Sequence, residues 1–160
     1  MEQKKLRIGW FTFTCCEDST IIFTELLNTY YKEWLKKIDF IHANIFKTEN
    51  RWEQMDVAFV EGAICTMKSE KKLKKIRDLA TKLVAVGSCA CGGMPSSQRN
   101  NFDDRTKEEI KDLLERFSHA EKVKSINEIV EVDDQVNGCP MTEEQFLKVL
   151  NKYLDEFGIK

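Results

Sequence analysis

Apolar residues along the chain follow two kinds of period. Short runs rich in β-branched and aromatic residues are typical of buried strands, and they occur at residues 6–13, 38–46, 57–60 and 83–86. Between them, residues 21–35 and 69–81 place apolar side chains three and four positions apart, which predicts amphipathic helices. Helical spacing returns at 110–117, and a last helix is predicted from Thr142 to about Gly158.

The alternation of strands and helices indicates the fold class. Parallel strands need crossover connections, which helices supply here. We therefore expect an α/β fold of the flavodoxin-like kind, with a mostly parallel sheet and helices on both faces. Residues 87–101 are rich in Gly, Ser, Asn and Pro and predict a functional loop, whereas 126–136 fits a connection or a short strand. No repeat or linker divides the chain, so residues 1–160 are expected to form a single domain.

Composition and charge argue against several classes of function. The chain has 25 Lys and Arg against 27 Asp and Glu, a net charge of −2, so no nucleic-acid surface is expected. It has no run of about 18 apolar residues and no apolar leader, so we expect no membrane insertion and a cytoplasmic location. Six cysteines in an unexported chain are expected to be reduced thiols or metal ligands.

Five of the six cysteines stand where a strand is predicted to give way to a helix. They are Cys15 and Cys16 after the first strand, Cys89 and Cys91 after the strand at 83–86, and Cys139 before the last helix. Because the carboxyl ends of parallel strands line one edge of a sheet, these thiols are expected to converge. Helix N-termini at that edge favour thiolates, and nearby glycines let the backbone approach a bulky group.

The spacing of these thiols leaves four kinds of site open. An iron–sulfur cluster accepts cysteines from separate loops, and Cys-Pro recurs at the last ligand of some ferredoxin motifs. Structural zinc also takes four thiolates but favours paired Cys-x₂₋₄-Cys knuckles, which this sequence lacks. A thiol redox site and a set of plain buried cysteines are the third and fourth possibilities. We favour the cluster.

Five short motifs occur in a fixed order, at residues 8–11, 15–17, 60–64, 86–90 and 138–140. They read Ile-Gly-Trp-Phe, Cys-Cys-Glu, Val-Glu-Gly-Ala-Ile, Val-Gly-Ser-Cys-Ala and Gly-Cys-Pro. In this order and spacing the sequence resembles the small subunit of [NiFe] hydrogenases and its relative, the complex I subunit that holds the terminal iron–sulfur cluster. The resemblance covers nearly the whole chain. It implies a flavodoxin-like domain with one proximal [4Fe-4S] cluster against a large catalytic subunit.

The resemblance also implies a ligand set for that cluster. Cys89 matches the Gly-x-Cys-Ala ligand, and Cys139 matches the Gly-Cys-Pro ligand. Hydrogenase small subunits usually show Cys-x-x-Cys at the first motif, where an alignment without gaps places Cys16 and Ser19. Complex I relatives have a tandem pair there, so the set we favour is Cys15, Cys16, Cys89 and Cys139. The choice between Cys15 and Ser19 stays open at the level of sequence.

Three further residues have an ordinary explanation beside a functional one. Cys65 and Cys91 fall where the family motifs require no ligand, and small core or loop residues are expected there. Cys91 could also replace Cys15 as a cluster ligand. Glu61 ends a strand, either as an acceptor for backbone N–H groups or as a proton relay.

Other polar residues are expected to be structural. Asp18 or Ser19 is expected to cap the first long helix. His42 and His119 stand too far apart in sequence to encourage a zinc site or a nucleophilic triad. The lysines within 68–82 are expected to form a solvated helix face.

The resemblance implies electron transfer rather than bond-making chemistry. We expect one cluster that exchanges electrons with a [NiFe] centre in a separate large subunit, so the chain would be part of an oxidoreductase and inactive alone. Because the sequence ends at residue 160, a further electron-transfer subunit is expected. Two competing hypotheses are a complex I-like module that reduces quinone and a non-redox, zinc-stabilised binding module.

Overall fold

Strands and helices alternate along most of the chain. The structure is a computed structural model that describes residues 4–159. Its strands are β1 (Leu6–Thr12), β2 (Ile38–Ala43), β3 (Met55–Glu61), β4 (Ala80–Val86) and β5 (Asp134–Val136). Its helices are α1 (Asp18–Lys37), α2 (Met67–Leu79), α3 (Gly87–Gly92), α4 (Asp104–Arg116) and α5 (Glu143–Glu156), with 3-10 turns at Gln98–Asn101 and Ile126–Glu128.

The strands form one sheet in which every pairing is parallel. Their order is β2-β1-β3-β4-β5, which is the flavodoxin-like order and confirms the predicted fold class. Thr12 pairs with Glu61, Glu61 with Val86, and Val86 with Val136. The carboxyl ends of four strands therefore lie side by side. The loops that follow those strands meet at this edge.

Helices cover both faces of the sheet because the central strands are apolar on both sides. α1 and α5 pack on one face, where the rings of Trp10 and Phe23 stack with centroids 4.2 Å apart and Phe146 meets Trp10 edge-on. α2 packs on the other face through Leu73 and Ile76. Strands buried from both sides are typical of parallel sheets. The core thus fixes the strand ends that carry the motifs.

The structure decides one open expectation and corrects another in two segments that flank the helix at 104–116. Residues 126–136, for which the sequence allows a connection or a short strand, contain a 3-10 turn and then β5, which pairs with β4, so the short-strand alternative is confirmed. Residues 87–101, predicted as a loop, begin with α3. That helix consists of small residues, and all of them except Ala90 have weak helix propensity, so neither propensity nor a periodic apolar pattern indicates a helix there.

Helices α1 and α4 differ in how much of their surface is buried against the rest of the protein. α1 has 20 residues and buries one side against the sheet. None of the residues of α4 is buried, and Leu113 and the following Phe117 are largely exposed. Within residues 4–159, no helix has both the length and the apolar character needed to cross a membrane.

Candidate functional site

The four cysteines of the family motifs line one cleft at the carboxyl edge of the sheet. Cys15 and Cys16 follow β1, Cys89 lies in α3, and Cys139 follows β5. These residues are up to 124 positions apart in sequence, from 15 to 139, and the aligned strand ends bring them together. We call this the cysteine cleft.

The thiols of the cysteine cleft differ in exposure. All are free, with Cys89 buried, Cys15 half-buried, and Cys16 and Cys139 exposed. Burial raises the pKa of the Cys15 thiol to about 12, and the nearby carboxylate of Glu61 adds to the rise. Burial therefore favours the neutral thiol at Cys15, and a bound positive charge such as that of a metal centre would stabilise its thiolate.

The donor set fits a cluster of several irons. As they stand, the side chains of residues 4–159 include no group of three or more His, Cys, Asp or Glu that is placed to hold a single metal ion. A [4Fe-4S] cluster takes one thiolate at each of four separate irons, so it needs four thiols around a space. Four cysteines line the cysteine cleft, which is the number of thiolates that such a cluster needs.

Two glycines bring the cysteine-bearing segments into contact. Gly138 has a φ of +126°, and a Cβ there would lie 2.5 Å from the Pro140 carbonyl oxygen. Gly87 has a φ of +80°, and a Cβ there would lie 3.0 Å from Ser19 Oγ. The amide of Ser88 donates to the carbonyl of Gly138 at 2.8 Å. Glycine is therefore required where the start of α3 meets the loop after β5.

Glu61 anchors the start of α1 beside the cleft. Its buried carboxylate accepts the N–H of Ser19 at 3.0 Å and the hydroxyl of Thr20. The indole of Trp10 donates to the same Thr20 hydroxyl at 2.9 Å. Burial raises the pKa of Glu61, although these hydrogen bonds oppose the rise. The arrangement matches the acceptor role considered for Glu61.

Ser19 belongs to the same framework. Its buried hydroxyl accepts the N–H of Met141 at 3.2 Å, which disfavours Ser19 as a cluster ligand. The helix cap expected at Asp18 or Ser19 is wrong, since the N-cap residue is Glu17 and its side chain makes no capping hydrogen bond. The carboxylate of Glu61, 42 residues away from Ser19 in sequence, provides the acceptor instead.

The two remaining cysteines do not line the cysteine cleft. Cys91 packs into the core on the α2 face, where its thiol donates to the Ala85 carbonyl at 3.5 Å and burial raises its pKa to about 11. Cys65 is buried, and its sulfur lies 2.8 Å from the Thr14 hydroxyl. Both therefore lie in the surroundings expected for small core residues.

One contact to the cleft sulfurs has no counterpart in the motifs. The hydroxyl of Ser96 lies 3.2 Å from Cys89 Sγ and 3.2 Å from the Thr14 carbonyl oxygen, so it can donate to either. Hydrogen bonds to ligand sulfur are among the factors that set the reduction potential of a cluster. In the sequence, the signal for this contact is the Ser96–Ser97 pair, seven residues after Cys89.

Removing the Glu61 carboxylate is expected to destabilise the protein. Glu61→Ala leaves the buried N–H of Ser19 without its acceptor and removes the nearer acceptor of the Thr20 hydroxyl, so we expect the free energy of unfolding to fall by about 2–4 kcal/mol. Asp18→Ala removes an exposed acid from the same helix turn and is expected to cost less than about 1 kcal/mol. Urea unfolding under anaerobic conditions measures both. Equal, small losses would contradict the anchoring role of Glu61.

Comparison with protein families places the chain. Residues 15–153 match the model of the family described as NADH ubiquinone oxidoreductase, 20 Kd subunit. The chain belongs to this family. The matched range begins at Cys15 and contains all the cysteines of the cleft, so the resemblance predicted from the motifs is confirmed.

Hydrogenase subunits are among the proteins similar to this member of the 20 Kd subunit family. It is 25% identical over 150 residues to subunit delta of sulfhydrogenase 2 of Pyrococcus furiosus, an alignment that covers 91% of this chain and 60% of that subunit. It is 22% identical over 169 residues to subunit delta of the NAD-reducing hydrogenase HoxS of Cupriavidus necator. That alignment covers 92% of this chain and 78% of the HoxS subunit. The chain thus spans less than two thirds of the first relative's length.

A solved hydrogenase structure has the same fold. One chain of the crystal structure of an NAD+-reducing [NiFe]-hydrogenase in the H2-reduced state superposes with a TM-score of 0.80 and 25% sequence identity. The match covers 96% of this chain and 93% of that one. This 20 Kd subunit family member is therefore hydrogenase small-subunit-like in both sequence and fold.

Proposed function

We propose that the chain is the electron-transfer subunit of a [NiFe] hydrogenase and holds one [4Fe-4S] cluster in the cysteine cleft. The observation that carries this proposal is the convergence of four thiols from three strand ends on one cleft. The assigned ligands are Cys15, Cys16, Cys89 and Cys139. When bound, such a cluster supplies a one-electron carrier.

The chain's own residues position and shield the site. Cys15 and Cys89 pack against the apolar side chains of Ala63 and Val123, which limits access of water to the inner side of the cleft. Ser96 can donate a hydrogen bond to Cys89 Sγ. Burial and hydrogen bonding to sulfur are the means by which a protein tunes a cluster's potential. The buried inner side of the cysteine cleft therefore favours electron transfer by a bound cluster over reaction of that cluster with water.

A separate large subunit that holds nickel and iron is part of the proposal. Cys16 and Cys139 are exposed, and the adjoining segment 92–102 exposes Met94 and Phe102. Methionine and aromatic residues are enriched at interfaces. We assign this side of the cleft to the large subunit, with a further electron carrier for onward transfer. Free thiols suit a reducing compartment, so a cytoplasmic location belongs to the same proposal.

Quinone reduction in a complex I-like assembly is the second candidate. It is favoured by the description of the matched family and by the tandem Cys15–Cys16 pair. In that assembly the cysteine cleft would hold the same cluster. The two candidates differ in the reaction of the complex and not in the chemistry of this chain.

Hydrogen turnover tests the proposed division of labour. The purified chain with its cluster is expected to be reduced by dithionite and reoxidised by viologen dyes without evolving or consuming hydrogen. The reason is that four of its six cysteines are assigned to the cluster, and it lacks paired Cys-x-x-Cys motifs for nickel. Adding the large subunit is expected to restore hydrogen-dependent dye reduction and to slow hydrogen exchange in 92–102.

Two outcomes of that experiment would contradict the proposal. Hydrogen turnover by this chain alone, with stoichiometric nickel, would make it a catalyst rather than a relay. Quinone reduction by the assembled complex without hydrogen turnover would favour the complex I-like candidate.

A further inference from the structure

A second concave surface lies on the α2 side of the cysteine cleft. It has a volume of about 540 Å³, is open to solvent along one side, and runs between the end of β1 and one face of α2. We call it the lysine groove. The lining residues that matter here are Phe13, Trp52, Lys68, Lys71, Lys72 and Lys75.

The four lysines form a single cationic stripe. Their positions are i, i+3, i+4 and i+7 of one helix, so their side chains share one face. Like charges at i and i+4 destabilise a helix, and this stripe contains two such pairs, Lys68 with Lys72 and Lys71 with Lys75. A bound anion would remove that repulsion.

Aromatic rings hold two of the ammonium groups over the groove. Lys72 Nζ lies 5.4 Å from the centre of the Phe13 ring, and Lys75 Nζ lies 4.6 Å from the centre of the Trp52 ring. Burial, and to a lesser extent the charge of Lys68, lower the pKa of Lys72. The rings therefore fix cationic groups at positions where their charges repel one another.

Carboxylates do not neutralise the stripe. Within the part of the chain that the structure describes, none of the four lysines forms an ion pair. Lys74, which points away from the groove, is paired with Glu70 at 2.7 Å. On α2, the lysine that points away from the groove is thus neutralised by a carboxylate, whereas the four lysines that face the groove are not.

The lysine groove and the cysteine cleft share a wall. Phe13 lines the groove, and its carbonyl accepts a long hydrogen bond of 3.8 Å from the Cys15 thiol. Thr14 also lines the groove and directly precedes Cys15. A partner seated in the groove would therefore be separated from the cluster ligands by one or two residues of this chain.

We propose that the lysine groove docks the acidic face of a one-electron carrier protein, an inference that rests on the proposed function. Three of the four lysines are exposed and the groove is open to solvent, which suits a protein partner, since small-molecule sites bury most of their ligand. Complementary charge steers such a partner and sets its orientation. Oxidation of one H2 yields two protons and two electrons, so two molecules of a one-electron carrier are reduced for each H2 consumed.

The test uses the purified complex of this chain with its large subunit and an acidic [2Fe-2S] ferredoxin as the probe. The groove variant carries Lys68→Gln, Lys71→Gln and Lys75→Gln. The control variant carries Lys32→Gln, Lys36→Gln and Lys148→Gln, which remove the same charge from exposed positions on α1 and α5. A third variant with arginine at the three groove positions keeps the charge.

At low ionic strength, the groove variant is expected to bind ferredoxin at least about tenfold more weakly than the control. Its ratio of ferredoxin-dependent to viologen-dependent hydrogen oxidation is expected to fall by a similar factor. The arginine variant retains the affinity. At about 1 M salt the difference between variants disappears, because charges are then screened within about 3 Å.

The binding measurement keeps this inference distinct from the proposed function. A complex that binds ferredoxin through the groove but shows no hydrogen oxidation would contradict the proposed function and leave the docking site standing. Equal ferredoxin affinity in the groove and control variants would overturn the docking site. Loss of the large subunit from the groove variant would also overturn the docking site, because the groove would then belong to the interface with that subunit. Salt-sensitive binding of the groove to phosphatidylglycerol vesicles, without binding to ferredoxin, would overturn it as well.

Discussion

Cys89→Ala and Cys139→Ala are each expected to lower the iron content of the anaerobically purified protein from about four atoms per chain to below one. Each thiolate holds one iron of the cluster, and the thiol of Cys91, which might otherwise substitute, points into the core on the α2 face. The same loss is expected for Cys16→Ala and Cys15→Ala. Iron and acid-labile sulfide analysis of the protein checks all four.

Cys65→Ala and Cys91→Ala are the matched controls for the ligand variants. Both remove a thiol that does not line the cysteine cleft, so both are expected to keep nearly all of the iron. Full iron in Cys15→Ala would refute the tandem assignment and return Ser19 or Cys91 to consideration as the fourth ligand.

Gly138→Ala is expected to lose most of the iron although every thiol remains. At a φ of +126°, alanine is strained, and its Cβ would lie 2.5 Å from the Pro140 carbonyl oxygen. The loop that carries Cys139 must therefore move, which takes that ligand out of place. We also expect the free energy of unfolding to fall by at least about 2 kcal/mol, as measured by anaerobic urea unfolding.

Gly92→Ala is the control for that substitution. Gly92 ends α3, three residues from Cys89, and an added Cβ meets nothing within 4 Å. This variant is expected to keep its iron and to match or slightly exceed the parent in stability, since alanine favours a helix. Equal iron in the two glycine variants would show that the loop after β5 does not need its left-handed backbone to place Cys139.

The central sheet could be predicted because its strands are buried on both faces. β1, β3 and β4 each appear in the sequence as short apolar runs, and the helices between them show a clear period. β5 could not be predicted in this way. It has only three residues, two of them polar, and it depends on pairing with β4 and on the hydrogen bond from Tyr153 to Asp134.

The cysteine cleft could be predicted from motifs, whereas the contacts around it could not. Cysteines that follow the strands of a parallel sheet converge at one edge of it, so their positions just after predicted strands indicate a shared site. The link between Glu61 and Ser19 joins residues with no shared local pattern. The lysine groove likewise depends on Trp52, which reaches α2 from the segment between β2 and β3. Such long-range contacts become visible only in three dimensions.

The central claim is that the cysteine cleft holds one [4Fe-4S] cluster. Electron paramagnetic resonance of the anaerobically purified, dithionite-reduced chain, with metal analysis of the same sample, tests it most directly. We expect about four irons and four sulfides per chain and a signal of about one unpaired spin, lost in Cys139→Ala. A colourless protein with about one zinc per chain and no signal on reduction would contradict the claim.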